Sequence, residues 1–165
     1  MKKYTVILLV ADRHGVLTRI SGLFAKRAYN IDSLSVGRTH MNGVSRMTIV
    51  VECGDDLLEQ IEEQLKKLVD VLYVEPVIDR PAVTRELMLV KVGHGGTYSD
   101  SARIIEVINV FRGKVVDMAP DSLIVEITGQ EEKLNAFLQY TERFGILEVS
   151  RTGVTAMLRG GSRTN

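Results

Sequence analysis

The stretch YTVILLVADRHGVLTRISGLFAKRA, residues 4–28, has the patterns of a strand, a loop with a glycine and a helix in direct succession. Residues 4–10 form an unbroken β-branched and apolar run, which is typical of a buried strand. Residues 12–15 interrupt this run with charged residues, a histidine and a glycine. Apolar residues then recur on one helical face: Val16, Leu17, Ile20, Leu23 and Phe24. The stretch therefore predicts a buried strand that is joined by a short loop to an amphipathic helix.

The pattern that follows completes one structural unit. Residues 31–38 and 46–52 are predicted strands, and Asn42-Gly43 between them is a strong signal for a β-hairpin turn. A helix is predicted to open at residues 54–56, because acidic residues are favourable at a helix N-terminus. Residues 71–77 form a last strand. The order strand, helix, strand, strand, helix, strand predicts a ferredoxin-like βαββαβ sandwich.

The same order repeats in the second half of the chain. Residues 79–81 are the best linker candidate, since proline and charge interrupt the apolar pattern there. The repeat consists of predicted strands at 85–92, 114–118, 122–128 and 146–157 and of helices at 101–111 and around 134–141. Residues 159–165 are polar and glycine-rich, and we expect them to fray. We therefore predict an α+β protein of two ferredoxin-like βαββαβ units, with domains at residues 1–79 and 80–165.

Composition limits the classes of function. Of 165 residues, 45% are apolar and 25% charged, and 21 acidic residues balance 21 basic ones. A net charge of zero gives no general attraction to nucleic acid or to an anionic membrane. The one cysteine, Cys53, excludes an intrachain disulfide and a four-thiolate metal site, and we expect it to be a small buried residue. The N-terminal apolar run is too short to span a membrane, so we expect a cytoplasmic protein without a nucleic-acid or membrane partner.

One face of the first sheet is more apolar than a solvated face should be. The two helices can cover only one face of the sheet, yet strand alternation places Ile7, Leu9 and Val50 on the other. Leaving such side chains in water would forgo roughly 1.5–3 kcal/mol each. We therefore predict that this face packs on the second domain or on another subunit, most economically in a homodimer.

Catalytic and metal-binding motifs are not found in the sequence. It contains no phosphate-binding loop, no Cys-x-x-Cys, no His-Glu-x-x-His and no Gly-x-Ser-x-Gly. His14, His40 and His94 lie in three separate predicted loops or strand ends, and we expect His40 and His94 to be solvated. Residues 93–96 are expected to form a plain turn, because they lack dinucleotide spacing and a phosphate-binding lysine. We therefore predict no catalytic residue and no metal site.

The loop at residues 12–15 has the chemistry of a zwitterion clamp. Gly15 lets backbone N–H groups approach a small anion, and a helix N-terminus favours a carboxylate there. Asp12 can accept a hydrogen bond from an ammonium group. The alternative is that Asp12 only caps the helix and Gly15 only makes the turn.

At this loop the sequence becomes similar to a known family. Asp12-x-x-Gly15-x-Leu17 resembles the ligand-loop signature of ACT domains. Further segments resemble the small regulatory subunit of acetolactate synthase, also called acetohydroxyacid synthase: residues 22–34, 45–49, 60–71, 85–92 and 111–113. The resemblance extends from Tyr4 to about Gly160. It implies that the first unit, residues 1–79, is a ligand-sensing ACT domain.

The resemblance also implies a function and a set of partners. Members of this family are homodimers through their ACT domains and bind valine or another branched-chain amino acid between the two copies. The ligand would contact one copy through Asp12, His14, Gly15, Val16 and Leu17, and the other copy through Asn30 and Ile31. The subunit activates a separate large catalytic subunit, which carries thiamine diphosphate, magnesium and FAD, and it confers feedback inhibition. No cofactor is expected on this chain.

Two other functions remain open from the sequence. A free-standing amino-acid sensor of another pathway would have the same loop. An RNA-binding module of the RRM type shares the strand order, but it needs aromatic side chains on the central strands for base stacking. Residues 46–52 and 122–128 contain no aromatic residue, so we expect no RNA binding.

Overall fold

The computed structural model describes residues 2–78, 80–95 and 98–161, with residues 98 and 99 described by their backbone alone. The elements are β1 (Lys2–Ala11), α1 (Val16–Lys26), β2 (Ile31–Arg38), β3 (Val44–Cys53), α2 (Asp55–Lys66), β4 (Val71–Pro76), β5 (Ala82–Gly93), α3 (Tyr98–Val110), β6 (Lys114–Met118), β7 (Ser122–Gly129), α4 (Glu131–Thr141), β8 (Ile146–Arg151) and β9 (Thr155–Leu158). A short 3-10 turn, Glu142–Phe144, follows α4.

Both halves of the chain form the same antiparallel sheet. The strand order is β2-β3-β1-β4 in the first sheet and β6-β7-β5-β8 in the second, and β9 lies off this second path. Each order places the first and third strands of a βαββαβ unit in the centre. The α+β fold of two ferredoxin-like units is therefore confirmed.

The first core lies between one face of the first sheet and helices α1 and α2. Alternate residues of β1, Val6, Leu8 and Val10, are 1%, 0% and 1% exposed and belong to the same cluster as Phe24 of α1 and Leu65 of α2. The helical and strand periodicities thus meet on a single surface. Burying each such side chain contributes roughly 1.5–3 kcal/mol, which makes this cluster the main support of the unit.

The second core repeats that arrangement with α3 and α4. Met88, Val90 and Val92 of β5 are fully buried beside Ile104 of α3 and Phe137 of α4. In both units, therefore, two helices cover one face of the sheet and form the core with it.

A partly buried ion pair also joins two strands of the second sheet. Glu86 of β5, 8% exposed, pairs with Arg151 of β8. Arg151 also donates to Asn135 Oδ1 of α4, at 2.9 Å.

The end of the chain differs from the prediction. The single strand predicted at 146–157 is wrong, because residues 152–154 separate β8 from β9. The segment from Gly153 belongs to the first compact unit, together with the residues up to Val83, while Thr84–Thr152 form the second unit. The backbone N–H of Val154 donates to Ser33 Oγ at 2.9 Å, and Arg46 Nη2 donates to the carbonyl of Ala156 at 2.9 Å. Side chains of β2 and β3 therefore hold this segment.

The apolar outer face of the first sheet is already covered in a single chain. Ile7, Leu9 and Val50 are only 0%, 4% and 5% exposed. Arg46 lies on the same face, and burial lowers the pKa of its guanidinium. The burial of these side chains therefore does not by itself call for a second copy, and the homodimer stays a prediction.

Three sequence predictions lie outside the described residues: Asp79 of the linker, Gly96 of the glycine-rich loop, and residues 162–165 of the frayed end. Within the described ranges, no helix has the length and apolar character needed to cross a membrane.

Candidate functional site

The loop between β1 and α1 ends at a glycine that the backbone requires. Gly15 is the N-cap of α1 with φ +81° and ψ −2°, a left-handed conformation that is costly for residues with a Cβ. Its carbonyl accepts the first helical hydrogen bond, from Arg19 N at 2.9 Å. Gly15 therefore makes the turn into α1, which is compatible with both interpretations of the loop.

The N-terminus of α1 is open to an anion. No side chain caps it, and its first turn contains no acidic residue. The alternative that Asp12 serves as the helix cap is therefore wrong. Of the first amide groups, Val16 N makes only a long contact of 3.5 Å with the carbonyl of Arg13. Unsatisfied N–H groups and the helix dipole together favour a carboxylate at this position.

Asp12 is held beside this helix terminus by its backbone and by an ion pair. Its N–H donates to the carbonyl of Gly43 at 2.8 Å. Its carboxylate lies 3.1 Å from Arg38 Nε, with side chains that are 38% and 86% exposed. Because Arg38 is largely solvated and Asp12 is more than a third exposed, this pair is weak and replaceable.

Arg38 is a residue that the sequence interpretation missed. The signal was available in the predicted hairpin: an antiparallel β2–β3–β1 arrangement brings the end of β2 to the end of β1. The observed register pairs Arg38 with Ser45 and Ala11 with Val44. The register therefore places basic Arg38, at the end of β2, close to acidic Asp12, just after the end of β1.

Asp12 also lines a polar cavity of about 530 Å³ at this end of the sheet. The β2–β3 hairpin supplies most of the wall, including Arg38 and His40.

The other predicted residues of the loop divide by exposure. Val16 is 3% exposed and belongs to the first core, so only its backbone can face a ligand. Leu17 is 46% exposed and offers an apolar surface at the helix start. His14 is exposed as well.

Asn30 and Ile31 lie at the opposite end of the sheet from the loop. Ile31 pairs with Val51, whereas Ala11, next to Asp12, pairs with Val44. Seven residues of β3 separate those two positions, which corresponds to about 23 Å of strand. One copy of the chain therefore does not bring the two halves of the predicted site together.

The other two histidines, His94 and His40, differ in exposure. His94 is buried at 8% exposure, so the expectation that it is solvated is wrong. Its side-chain Nε2 lies 3.2 Å from the carbonyl oxygen of Ala119, and its backbone N–H donates a hydrogen bond to the carbonyl of Asp121. His40 is exposed, as expected.

Cys53 is buried, also as expected, and burial followed by the charge of Asp55 raises the pKa of its thiol. Among the residues that the structure describes, no three His, Cys, Asp or Glu side chains are grouped to hold a metal.

The chain is similar to known proteins along nearly all of its length. Residues 6–73 match the family model described as the AHAS small subunit-like ACT domain, and residues 85–160 match the model of the small subunit of acetolactate synthase. A probable acetolactate synthase small subunit from Methanothermobacter thermautotrophicus is 47% identical over 161 residues, covering 98% of this chain and 95% of the relative.

Two further relatives agree. The acetolactate synthase small subunit of Aquifex aeolicus is 44% identical over 163 residues, covering 96% of this chain and 82% of the relative. The crystal structure of the acetolactate synthase small subunit from Thermotoga maritima superposes with a TM-score of 0.90 at 36% identity, covering 98% of this chain and all of that one.

Proposed function

This chain belongs to the family of acetolactate synthase small subunits, and on that basis we propose that it activates a large catalytic subunit and makes it sensitive to a branched-chain amino acid. The large subunit would carry the thiamine diphosphate, magnesium and FAD of the reaction. The complex would act in the cytoplasm, in valine, leucine and isoleucine biosynthesis.

The proposed ligand is an aliphatic amino acid, with valine as the first candidate. Its carboxylate would accept hydrogen bonds from the N–H groups of Gly15 and Val16 at the uncapped start of α1. Its ammonium would bind the Asp12 carboxylate, in competition with Arg38. A branched side chain would gain about 0.8 kcal/mol for each buried methylene, and exposed Leu17 is one surface that could provide this burial.

The strand register is the observation that supports a site between two copies. Asn30 and Ile31 are about 23 Å from the loop along the sheet, on the basis of strand rise. In a two-fold dimer, the loop of one copy can meet the start of β2 of the other, and the site then occurs twice. Asn30 of the partner subunit would hydrogen-bond the polar end of the ligand, and Ile31 of the partner subunit would border its side chain.

A ligand bound between copies provides a means of regulation. It favours whichever dimer arrangement brings both halves of the site together, and so it shifts the population of arrangements that the large subunit meets. A coupling free energy of about 1–3 kcal/mol is enough for useful inhibition. Feedback sensitivity then requires no catalytic group on this chain.

A thermal-unfolding screen against the proteinogenic amino acids tests this proposal. A ligand at 100 times its Kd stabilises the folded state by about 2.7 kcal/mol through mass action, so valine, leucine or isoleucine should raise the midpoint while their D-enantiomers should not. Isothermal titration and sedimentation then give the affinity and the oligomeric state. A monomer whose midpoint responds to no aliphatic amino acid would overturn the proposal.

A further inference from the structure

A second surface of the first unit begins next to the candidate amino-acid site, where Arg19 Nη1 lies 3.5 Å from a Cβ built on Gly15, and continues along α1 away from that site. An open groove of about 760 Å³ lies between α1 and the C-terminal end of α2. Partly buried Leu23 and Leu68 line it and also pack against the first core. The groove begins at Thr18 and extends to Arg27, so it follows the body and C-terminal end of α1.

Every charged residue that lines this groove is basic: Arg19, Lys26 and Arg27. Arg19 is neutralised by Asp70, with 2.6 Å between Nη2 and Oδ2. Arg27 donates to the neutral amide of Gln64, at 2.8 Å. Neither Lys26 nor Arg27 forms a salt bridge within the described part of the chain, and the acids of α2, Glu62 and Glu63, pair with Lys66 instead. The groove therefore carries two cations without a salt-bridge partner among the described residues, Lys26 and Arg27, at the C-terminal end of α1.

The wall of the groove contains a glycine that this chain does not itself require. Gly22 lies inside α1, has no positive φ, and a Cβ built on it would meet nothing within 4 Å. Glycine inside a helix is unfavourable relative to alanine. Neither backbone conformation nor packing within one copy accounts for it, whereas close approach of another chain to the α1 backbone would.

We propose that this groove is the docking site for an acidic segment of the large catalytic subunit, which lies along α1 over Gly22 with its acids beside Lys26 and Arg27. The proposal rests on the proposed function, since it names the partner surface of the same regulatory subunit. Complementary charge at such a rim mainly accelerates association and selects the partner, and close packing at Gly22 limits dissociation.

Charge reversal tests the electrostatic half of the proposal. The acetolactate synthase large subunit of the same organism is titrated with the full-length wild-type chain, with Lys26→Glu/Arg27→Glu, and with the control Lys2→Glu/Arg159→Glu. The control makes the same change in net charge at exposed positions outside the groove. We expect the groove variant to bind at least about tenfold more weakly, with a reduced salt dependence, and the control to remain within about threefold of wild type.

A Gly22 pair tests the close approach separately. Gly22→Ala and Gly22→Leu should keep or raise the thermal midpoint of the chain alone, because the position is open and helix propensity improves. Gly22→Leu should nevertheless weaken large-subunit binding at least about tenfold. Since the chain folds as well as before, such a loss cannot come from unfolding.

The outcomes separate this proposal from the function on which it rests. If wild type binds and activates the large subunit while the groove variants do so equally well, the groove assignment fails and the proposed function stands. If wild type itself does not bind the large subunit, both fail. If the groove variants change the sedimentation of the chain alone, the occupant is a second copy, which also overturns the assignment.

Discussion

Gly153 lies directly against the backbone of Leu34. A Cβ atom at position 153 would be 2.5 Å from the carbonyl oxygen of Leu34 and 2.7 Å from its carbonyl carbon. Gly153 does not have a positive φ, so this contact, and not backbone conformation, requires glycine here. The neighbouring Val154 N–H donates to Ser33 Oγ at 2.9 Å. The end of the chain is thus held on β2, the strand that begins at Ile31.

Substitution of Gly153 by alanine should destabilise the protein. Backbone atoms of β2 cannot move aside as a flexible side chain can, so we expect a loss of about 1–3 kcal/mol in the free energy of unfolding. Gly37→Ala is the matched control on β2, because a Cβ there meets nothing within 4 Å. Urea unfolding followed by circular dichroism measures both, and equal stabilities would contradict the contact.

Gly15→Asp should abolish binding of the amino acid. It puts bulk and negative charge where the ligand carboxylate would lie, and at φ +81° it costs about 1–3 kcal/mol of backbone strain. Gly145→Asp is the control for strain alone, since Gly145 has φ +89° and open space around it. Calorimetry should find valine affinity lost in the first variant and kept in the second. Unchanged binding by Gly15→Asp would exclude the loop as the site.

Arg38→Ala should strengthen binding of the same ligand. Arg38 competes with the ligand ammonium for Asp12, and an exposed ion pair of this kind is worth about 0.2–1 kcal/mol. The expected gain in affinity is therefore at most about fivefold, and it should shrink as salt is raised. Arg80→Ala, which breaks the 2.9 Å pair with Glu75, should leave the affinity as it was. Weaker binding by Arg38→Ala would instead make Arg38 a direct ligand contact.

Mixing two inactive variants should restore part of the binding capacity. Asp12→Ala removes the loop half of the proposed site and Asn30→Ala removes the partner half, so neither homodimer should bind. Random exchange of subunits gives mixed dimers with one intact site each, which is roughly a quarter of all sites. Titration before and after exchange measures this recovery. No recovery, with exchange verified by mass spectrometry, would show that both residues act within one copy or not at all.

The thiol of Cys53 should react slowly in the folded protein. It is 2% exposed, and burial together with the charge of Asp55 raises its pKa, so little thiolate forms at pH 8. Alkylation by iodoacetamide should be far faster in guanidinium chloride than in buffer. The rate of alkylation of the native protein should remain low until the pH exceeds the pKa of an ordinary cysteine thiol. Rapid stoichiometric labelling of native protein would contradict this burial.

Local patterns determined most of the fold. The predicted limits of β2 agree with the observed Ile31–Arg38, and the apolar spacing of α1 correctly indicated Val16, Ile20 and Phe24 as core residues. Hydrophobic periodicity is a property of neighbouring residues, so it can be found without knowledge of the rest of the chain. The repeat of βαββαβ and the positive-φ glycine before α1 follow from the same kind of local signal.

Tertiary structure decided what depends on residues far apart in the sequence. Only the strand register separates Asp12 from Asn30 and brings Arg38 to Asp12. The structure alone shows that residues 153–158 leave the second unit. They contact Ser33 and Arg46, which lie 110 or more positions earlier in the sequence. Apolar periodicity specifies that a face is buried but not which segment covers it, because burial of apolar surface is non-directional. The choice of partner is made by backbone contacts and hydrogen bonds that exist only once the chain is folded.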